Sequence, residues 1–193
     1  DYWVIGKTFS ELAEHKQNSE QTCQVSINLS GQSLNDPVGF AAYIGNKLEE
    51  HQLDARDICF EITESAAIAN IDDARFFIDQ VGAYGCRFSL DDFGTGLSSF
   101  AYLKNLKVNF LKIDGSFVTD ICTDPVCESM VGAINQVGHA MRLKTVAEFV
   151  ENDAIAQKLN EIGVDYGQGY GLGKPAPLAE ILSSLPSTKS KSA

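Results

Sequence analysis

Six short runs of β-branched, aromatic and other apolar residues punctuate the chain, each ending on or beside a polar side chain. They are Val25-Ser26-Ile27-Asn28, Ile58-Cys59-Phe60-Glu61-Ile62-Thr63-Glu64 and Cys86-Arg87-Phe88-Ser89-Leu90-Asp91-Asp92. Asn109-Phe110-Leu111-Lys112-Ile113-Asp114, Leu143-Lys144-Thr145-Val146-Ala147-Glu148 and Val164-Asp165-Tyr166-Gly167-Gln168-Gly169-Tyr170 follow. Between them, residues 37–52, 71–84, 126–141 and 152–162 repeat apolar positions at helical spacing, with Gly or Asn near several ends. A shorter helical stretch is expected at 97–106. Strand and helix in alternation predict an α/β fold, with a parallel sheet and right-handed crossovers. Such units suit either an open doubly wound sheet or most of an eight-unit barrel. The first strand is not followed by the glycine-rich phosphate turn of a nucleotide-binding open sheet. Every strand also ends in a polar group, and β/α barrels assemble their sites from many strand ends. The pattern therefore predicts a (β/α)8 TIM-like barrel, with about six of its eight strands in this chain.

Asp1-Tyr2-Trp3-Val4 has no basic n-region and reads like the middle of a helix entered without a cap. The Ser- and Lys-rich end suggests a flexible tail over 183–193, leaving 1–182 as one domain. At 193 residues the chain is long enough to bury about 70% of its unfolded surface. Apolar residues make up 44% and charged residues 21%, ordinary for a soluble globular domain. A net charge of −11 argues against a DNA or RNA polymer as partner, yet leaves room for a small anion held through cations. Cys23, Cys59, Cys86, Cys122 and Cys127 are odd in number and mostly lie in apolar runs, which predicts buried free thiols in a reducing compartment.

A shared rim would bring together Asn28, Glu61, Asp91, Asp92, Lys112, Asp114, Glu148 and Gln168. Carboxylates and an amide oxygen are hard ligands, suited to Mg²⁺ or Mn²⁺. Clustered acids repel unless cations or the lysine neutralise them, and two cations would also clamp the attacking and leaving oxygens of a phosphoester. Lys112 and Asp114 lie two apart and so face the same way along a strand. Asp91 and Asp92 would face oppositely; Gly94 and Gly96 are expected to let the chain turn and re-aim the second acid. Singly, these signals have plainer readings. Asp114 could be a helix cap and Glu61 a solvated edge residue. Asp91-Asp92-Phe93-Gly94 also resembles the kinase magnesium motif, without its companion motifs. His15, His51 and His139 are expected to be structural or surface residues.

Taken in order, the motifs resemble bacterial EAL domains from about Trp3 to Pro177. They are Ile27-Asn28-Leu29-Ser30, Phe60-Glu61-Ile62-Thr63-Glu64-Ser65 and Leu90-Asp91-Asp92-Phe93-Gly94-Thr95-Gly96. Leu111-Lys112-Ile113-Asp114-Gly115-Ser116-Phe117-Val118, Val146-Ala147-Glu148-Phe149-Val150-Glu151 and Gln168-Gly169-Tyr170 continue the match. The resemblance implies a cyclic-di-GMP phosphodiesterase that opens the ring to linear pGpG with two Mg²⁺ or Mn²⁺ ions. It implies metal binding by Asn28, Glu61 and Asp91, with Asp92 at the second metal and Asp114 in the same region. Lys112 would hold and polarise the attacking water, and Glu148 would be general base or second-site ligand. Glu64 would steady the loop after Asp92, while Glu151 and Gln168 would support the site and face substrate. It further implies a cytoplasmic domain in a soluble or membrane-anchored parent, a homodimer, and a neighbouring diguanylate-cyclase-like (GGDEF) or sensory domain.

Three departures from the family pattern bear on activity. The family's β-hairpin and EAL strand, with a ligating Glu and a substrate-binding Arg, are expected upstream of Asp1, so the 193 residues alone are expected to be inactive. Leu97 stands where Tyr is common, and Phe149 where Gly is usual. The alternative reading is a non-catalytic cyclic-di-GMP receptor; such domains usually lose ligands that this sequence keeps.

Overall fold

Most crossover helices start where a polar side chain can take up the free N–H groups of a first turn. In the computed structural model, which describes residues 1–19, 21, 23–95 and 101–185, Asp36 accepts from Gly39 N at 3.0 Å ahead of Pro37–Glu50. Asp124 accepts from Val126 N at 2.8 Å ahead of Pro125–Ala140, and Asn152 from Ile155 N at 3.0 Å ahead of Asp153–Ile162. Both helices that begin with proline use a ring that fixes φ where no N–H is needed. Gly163, at φ 86°, ends the last of them in a left-handed turn.

The elements in chain order are α1 (Tyr2–Asn18), β1 (Val25–Leu29), α2 (Pro37–Glu50), β2 (Ile58–Thr63), α3 (Glu64–Ala69), α4 (Ile71–Ala83) and β3 (Arg87–Phe93). Then come β4 (Phe110–Ile113), α5 (Gly115–Val118), α6 (Pro125–Ala140), β5 (Lys144–Ala147), α7 (Asp153–Ile162), β6 (Tyr166–Gly167) and α8 (Leu178–Ser184). All six strands are parallel and pair in sequence order, the arrangement of a curled part-barrel. The register sets Asn28 opposite Glu61 and Thr63 opposite Asp91, so the polar strand ends come level at one rim. Beneath that rim, Phe40 of α2 stacks on Phe77 of α4 at 5.4 Å, and Phe77 meets Phe88 of β3 edge-on at 5.8 Å. These rings bind helix layer to sheet. Among the described residues, no helix is long and apolar enough to cross a membrane.

Several details differ from expectation. β6 covers two residues rather than the whole 164–170 run, because the chain wraps around Val150 instead of extending. Val150 N donates to Gln168 O at 3.0 Å and Gly171 N donates back to Val150 O at 2.9 Å. A Cβ on Gly169 would lie 2.2 Å from Val150 N, so only glycine permits that approach. Within 97–106, Tyr102–Asn105 forms a 3₁₀ turn; Leu97 and Gly96 lie outside the described residues. Ser183 and Ser184, the first residues of the expected tail, are helical and donate back to Glu180 O and Ile181 O at 2.8 Å; 186–193 lie outside the described residues. All five cysteines are free, but only Cys59 and Cys86 are buried. Burial pushes both thiols up to about 12. Cys122 is exposed in the turn before α6, a position the apolar-run reading did not separate from the strands.

The end of the sheet away from the polar rim is tied together by one acid. Asp165 accepts from Lys144 Nζ at 2.6 Å and Thr145 N at 2.9 Å, and lies 2.8 Å from the His139 ring. The Thr145 hydroxyl donates to Asn135 Oδ1 at 2.7 Å, and Asn135 Nδ2 donates to Ile162 O at 3.2 Å. His139 is thus structural, as its surroundings in the sequence suggested. Burial works against the Asp165 charge, but Lys144, the Thr145 amide and His139 outweigh it and hold the carboxyl well below its usual range. The unfolded chain then binds the proton more readily than the folded one. This contribution is therefore present above the unfolded value of about 4 and fades as pH falls towards the depressed folded value. Asp165→Asn should lose about 2 kcal/mol in urea unfolding at pH 7, with a smaller deficit at pH 3. An equal deficit at both pH values would remove the charge from this account.

Candidate active site

Lys112 occupies the centre of the polar rim. Residue alternation along β4 turns it inward, where its side chain is only 3% exposed. Its ammonium lies 2.9 Å from Glu61 Oε2, 2.8 Å from Asp91 Oδ1 and 2.8 Å from Glu148 Oε1. An ammonium has three N–H donors, so one lysine can serve the ends of β2 and β3 and the residue after β5 at once. Burial draws the lysine pKa down, but the three carboxylates reverse this and hold it above its ordinary value. Burial raises Glu148, Lys112 opposes that, and Asp91 and Asp92 add to the rise; the net is upward. Even with the lysine charged, the four acids Glu61, Asp91, Asp92 and Glu148 leave the site negative.

The second aspartate is re-aimed by its own backbone rather than by the glycines alone. The β3–β4 register slips between Leu90 and Phe93, and Asp92 takes φ 54°, with Gly94 following at φ 105°. This bulge turns two adjacent acids to one side, as bulges beside active sites often do. Aspartate tolerates the left-handed region better than bulkier residues. Asp92 N donates to Asp91 Oδ1 at 3.1 Å. Carboxylate oxygens of Asp91, Asp92 and Glu148 consequently all lie within 4.8 Å of one another. Burial, then the charges of Asp91 and Asp114, raise the Asp92 pKa.

Glu64, buried at the start of α3, grips the segment beyond the bulge from two sides. It accepts from Gly94 N at 3.0 Å and from the Tyr102 hydroxyl at 2.6 Å. Burial and the bond to Glu64 raise the Tyr102 pKa, keeping the phenol protonated. Tyr102 was not singled out from the sequence. Its partner is 38 residues away, and no local pattern marks such a bond.

The other expected residues are placed less centrally. Asn28 is exposed at the end of β1, opposite Glu61. Asp114 caps α5 by accepting from Ser116 N at 2.8 Å, the plainer of its two readings, while lying near enough to influence Asp92. Glu151 and Gln168 are exposed and line, with Glu148, Phe149, Tyr170 and Lys174, a cleft of about 630 Å³. Phe149 is left-handed at φ 53° and 58% exposed, which accounts physically for glycine being at home there. The donor set of the acidic cluster, all hard oxygens with negative charge in excess, fits Mg²⁺ or Mn²⁺.

Removing the lysine isolates the effect of that excess. Lys112→Met leaves Glu61, Asp91 and Glu148 without their shared partner, a loss on the order of 3 kcal/mol. In thermal melts the variant should unfold earlier in chelator and regain more stability from Mg²⁺ than the parent does. Identical melts in chelator would show that the carboxylates do not depend on Lys112.

Comparison with known proteins agrees with this fold. The family model for the EAL domain matches residues 1–175. Cyclic di-GMP phosphodiesterase PdeB of Shewanella oneidensis is 41% identical over 179 residues, covering 93% of this chain and 21% of that protein. Cyclic di-GMP phosphodiesterase PdeF of Escherichia coli is 36% identical over 185 residues, covering 96% of this chain and 24% of that protein. The chain thus spans between a fifth and a quarter of the length of these two curated relatives. Among solved structures, a PaMucR phosphodiesterase in complex with c-di-GMP superposes with a TM-score of 0.86 at 32% identity, covering 93% of this chain and 72% of that one. Motif order, parallel topology and the match over most of its length agree: the chain belongs to the EAL domain family.

Proposed function

We propose that this domain hydrolyses one phosphodiester bond of cyclic-di-GMP, giving linear pGpG, as part of a bacterial second-messenger system. The observation that carries the reading is the convergence of Asp91, Asp92 and Glu148 around one buried lysine, beside an open cleft. Asn28, Glu61, Asp91, Asp92, Asp114 and Glu148 are the residues that would hold two Mg²⁺ or Mn²⁺ ions. When bound, such ions neutralise charge on the phosphate oxygens and make a water more acidic. The remaining work falls to the chain. Lys112 keeps Glu61, Asp91 and Glu148 at fixed separations and offers positive charge to the attacking oxygen. Glu148, 2.8 Å from the Lys112 ammonium, serves either as the second ion's ligand or as the group that accepts the proton lost by that water. Asp92 depends on its left-handed backbone for its aim, and Glu64 holds the adjoining Gly94. Glu151 and Gln168 face the cleft and would contact the nucleotide.

The domain in this proposal, expected over 1–182, runs on to the end of α8 at Ser184, within a larger cytoplasmic or membrane-attached signalling protein. A homodimer and a neighbouring diguanylate-cyclase-like or sensory domain complete the proposal; these features rest on the family resemblance.

The test uses the full-length protein. Incubated with Mg²⁺ it should convert cyclic-di-GMP to linear pGpG, read by chromatography, and excess chelator should stop turnover. Retained nucleotide binding with no product would favour the receptor alternative. Glu148→Ala should lower kcat by about a thousandfold while nucleotide binding, measured by calorimetry, persists. An unreduced rate would take the proton-accepting role away from Glu148.

A further inference from the structure

Phe149 breaks two local preferences at once. Its φ of 53° is a conformation that bulky residues disfavour and glycine adopts freely. Its large apolar side chain is also 58% exposed, so neither feature helps the chain to fold. Strained residues that persist at a site point towards function.

The ring is nonetheless firmly seated. Phe149 lies over Gly115, the first residue of α5, so closely that a Cβ on Gly115 would meet its Cδ2 at 2.2 Å and its Cγ at 2.3 Å. Gly115 is buried beneath it. Its φ is not in the glycine-favouring region, so the absent side chain serves space rather than backbone freedom. Gly115 is therefore a notch and the Phe149 ring a plate resting in it. The plate adjoins the acidic centre through both chain segments, since Phe149 follows Glu148 and Gly115 follows Asp114. Its exposed part lines the same cleft as Glu148 and Gln168.

We infer that Phe149 is a specificity-determining residue: an aromatic plate on which one purine base of the cyclic dinucleotide stacks, held in place by the notch at Gly115. This rests on the proposed function and deepens it by naming a group that would recognise the base rather than the phosphate. The acidic centre repels a dinucleotide's phosphates unless cations intervene, whereas a flat apolar ring gains from any base through its π face. Stacking is insensitive to base identity, so the plate would favour base-bearing diesters over simple phosphodiesters without choosing among purines.

The test is steady-state kinetics on cyclic-di-GMP with the full-length protein in Mg²⁺. Phe149→Gly removes the plate and relieves the left-handed strain. It should melt at or above the parent temperature while KM rises about tenfold and kcat changes much less. Phe149→Tyr keeps a ring and should hold KM within about twofold. Gly115→Ala fills the notch and displaces the ring, so KM should rise in the same direction. A KM for Phe149→Gly within twofold of the parent overturns the inference. So does a collapse of kcat at constant KM, which would make Phe149 a support for Glu148. A melting temperature several degrees lower would make the ring a packing element and also overturn it. A parent protein that neither binds nor cleaves cyclic-di-GMP removes the proposed function, and this inference with it; active parent protein with unaffected variants removes the inference alone.

Discussion

One buried ammonium organises the rim of this protein. Lys112 meets Glu61, Asp91 and Glu148 at 2.8–2.9 Å, and these acids come from successive parts of the sheet. Without a shared cation, acids so placed would repel one another and raise the free energy of the closed rim. The lysine carries its own desolvation penalty, and three short contacts offset it. The result is a partly neutralised site, held in shape by protein charge, with one ammonium set against three carboxylates. Fixing carboxylates before any ligand arrives reduces the reorganisation that catalysis would otherwise require.

Around that centre, backbone conformation decides where side chains point. The bulge at Asp92 converts an alternating strand into a pair of acids on one side. Glu64 secures the turn beyond it from Gly94 and Tyr102. The wrap of Gly169 and Gly171 around Val150 shortens β6 and shapes the cleft beside Glu148. Asp92, Gly94 and Phe149 bring left-handed backbone to this rim, and Gly169 and Gly171 bring close backbone approaches. At the opposite end of the sheet, a hydrogen-bonded network around Asp165 ties α6 to the strands. That division matches a fold in which one rim carries chemistry and the other carries stability.

Much of this was legible in the residues alone. Apolar runs with polar ends located every strand, and helical spacing located α2, α4, α6 and α7 to within a few residues. Periodicity reports burial of one face, and that is a local property. The strand-end acids were legible as a group for the same reason: a parallel, in-register sheet must bring its ends together. The choice between a cap and a ligand for Asp114 was not, because both uses place an acid at a strand end.

By itself the sequence determined the parallel α/β architecture, the acidic character of the rim and family membership, all of which follow from residue order and local preference. Only the tertiary structure decided that Lys112 contacts three acids at once, that Asp92 joins Gly94 in a left-handed turn at the bulge, and that Tyr102 reaches Glu64. It also decided that Phe149 rests in the space left by Gly115. Each of these depends on atoms far apart in the chain meeting at hydrogen-bond or van der Waals distance, and no local preference encodes such a meeting.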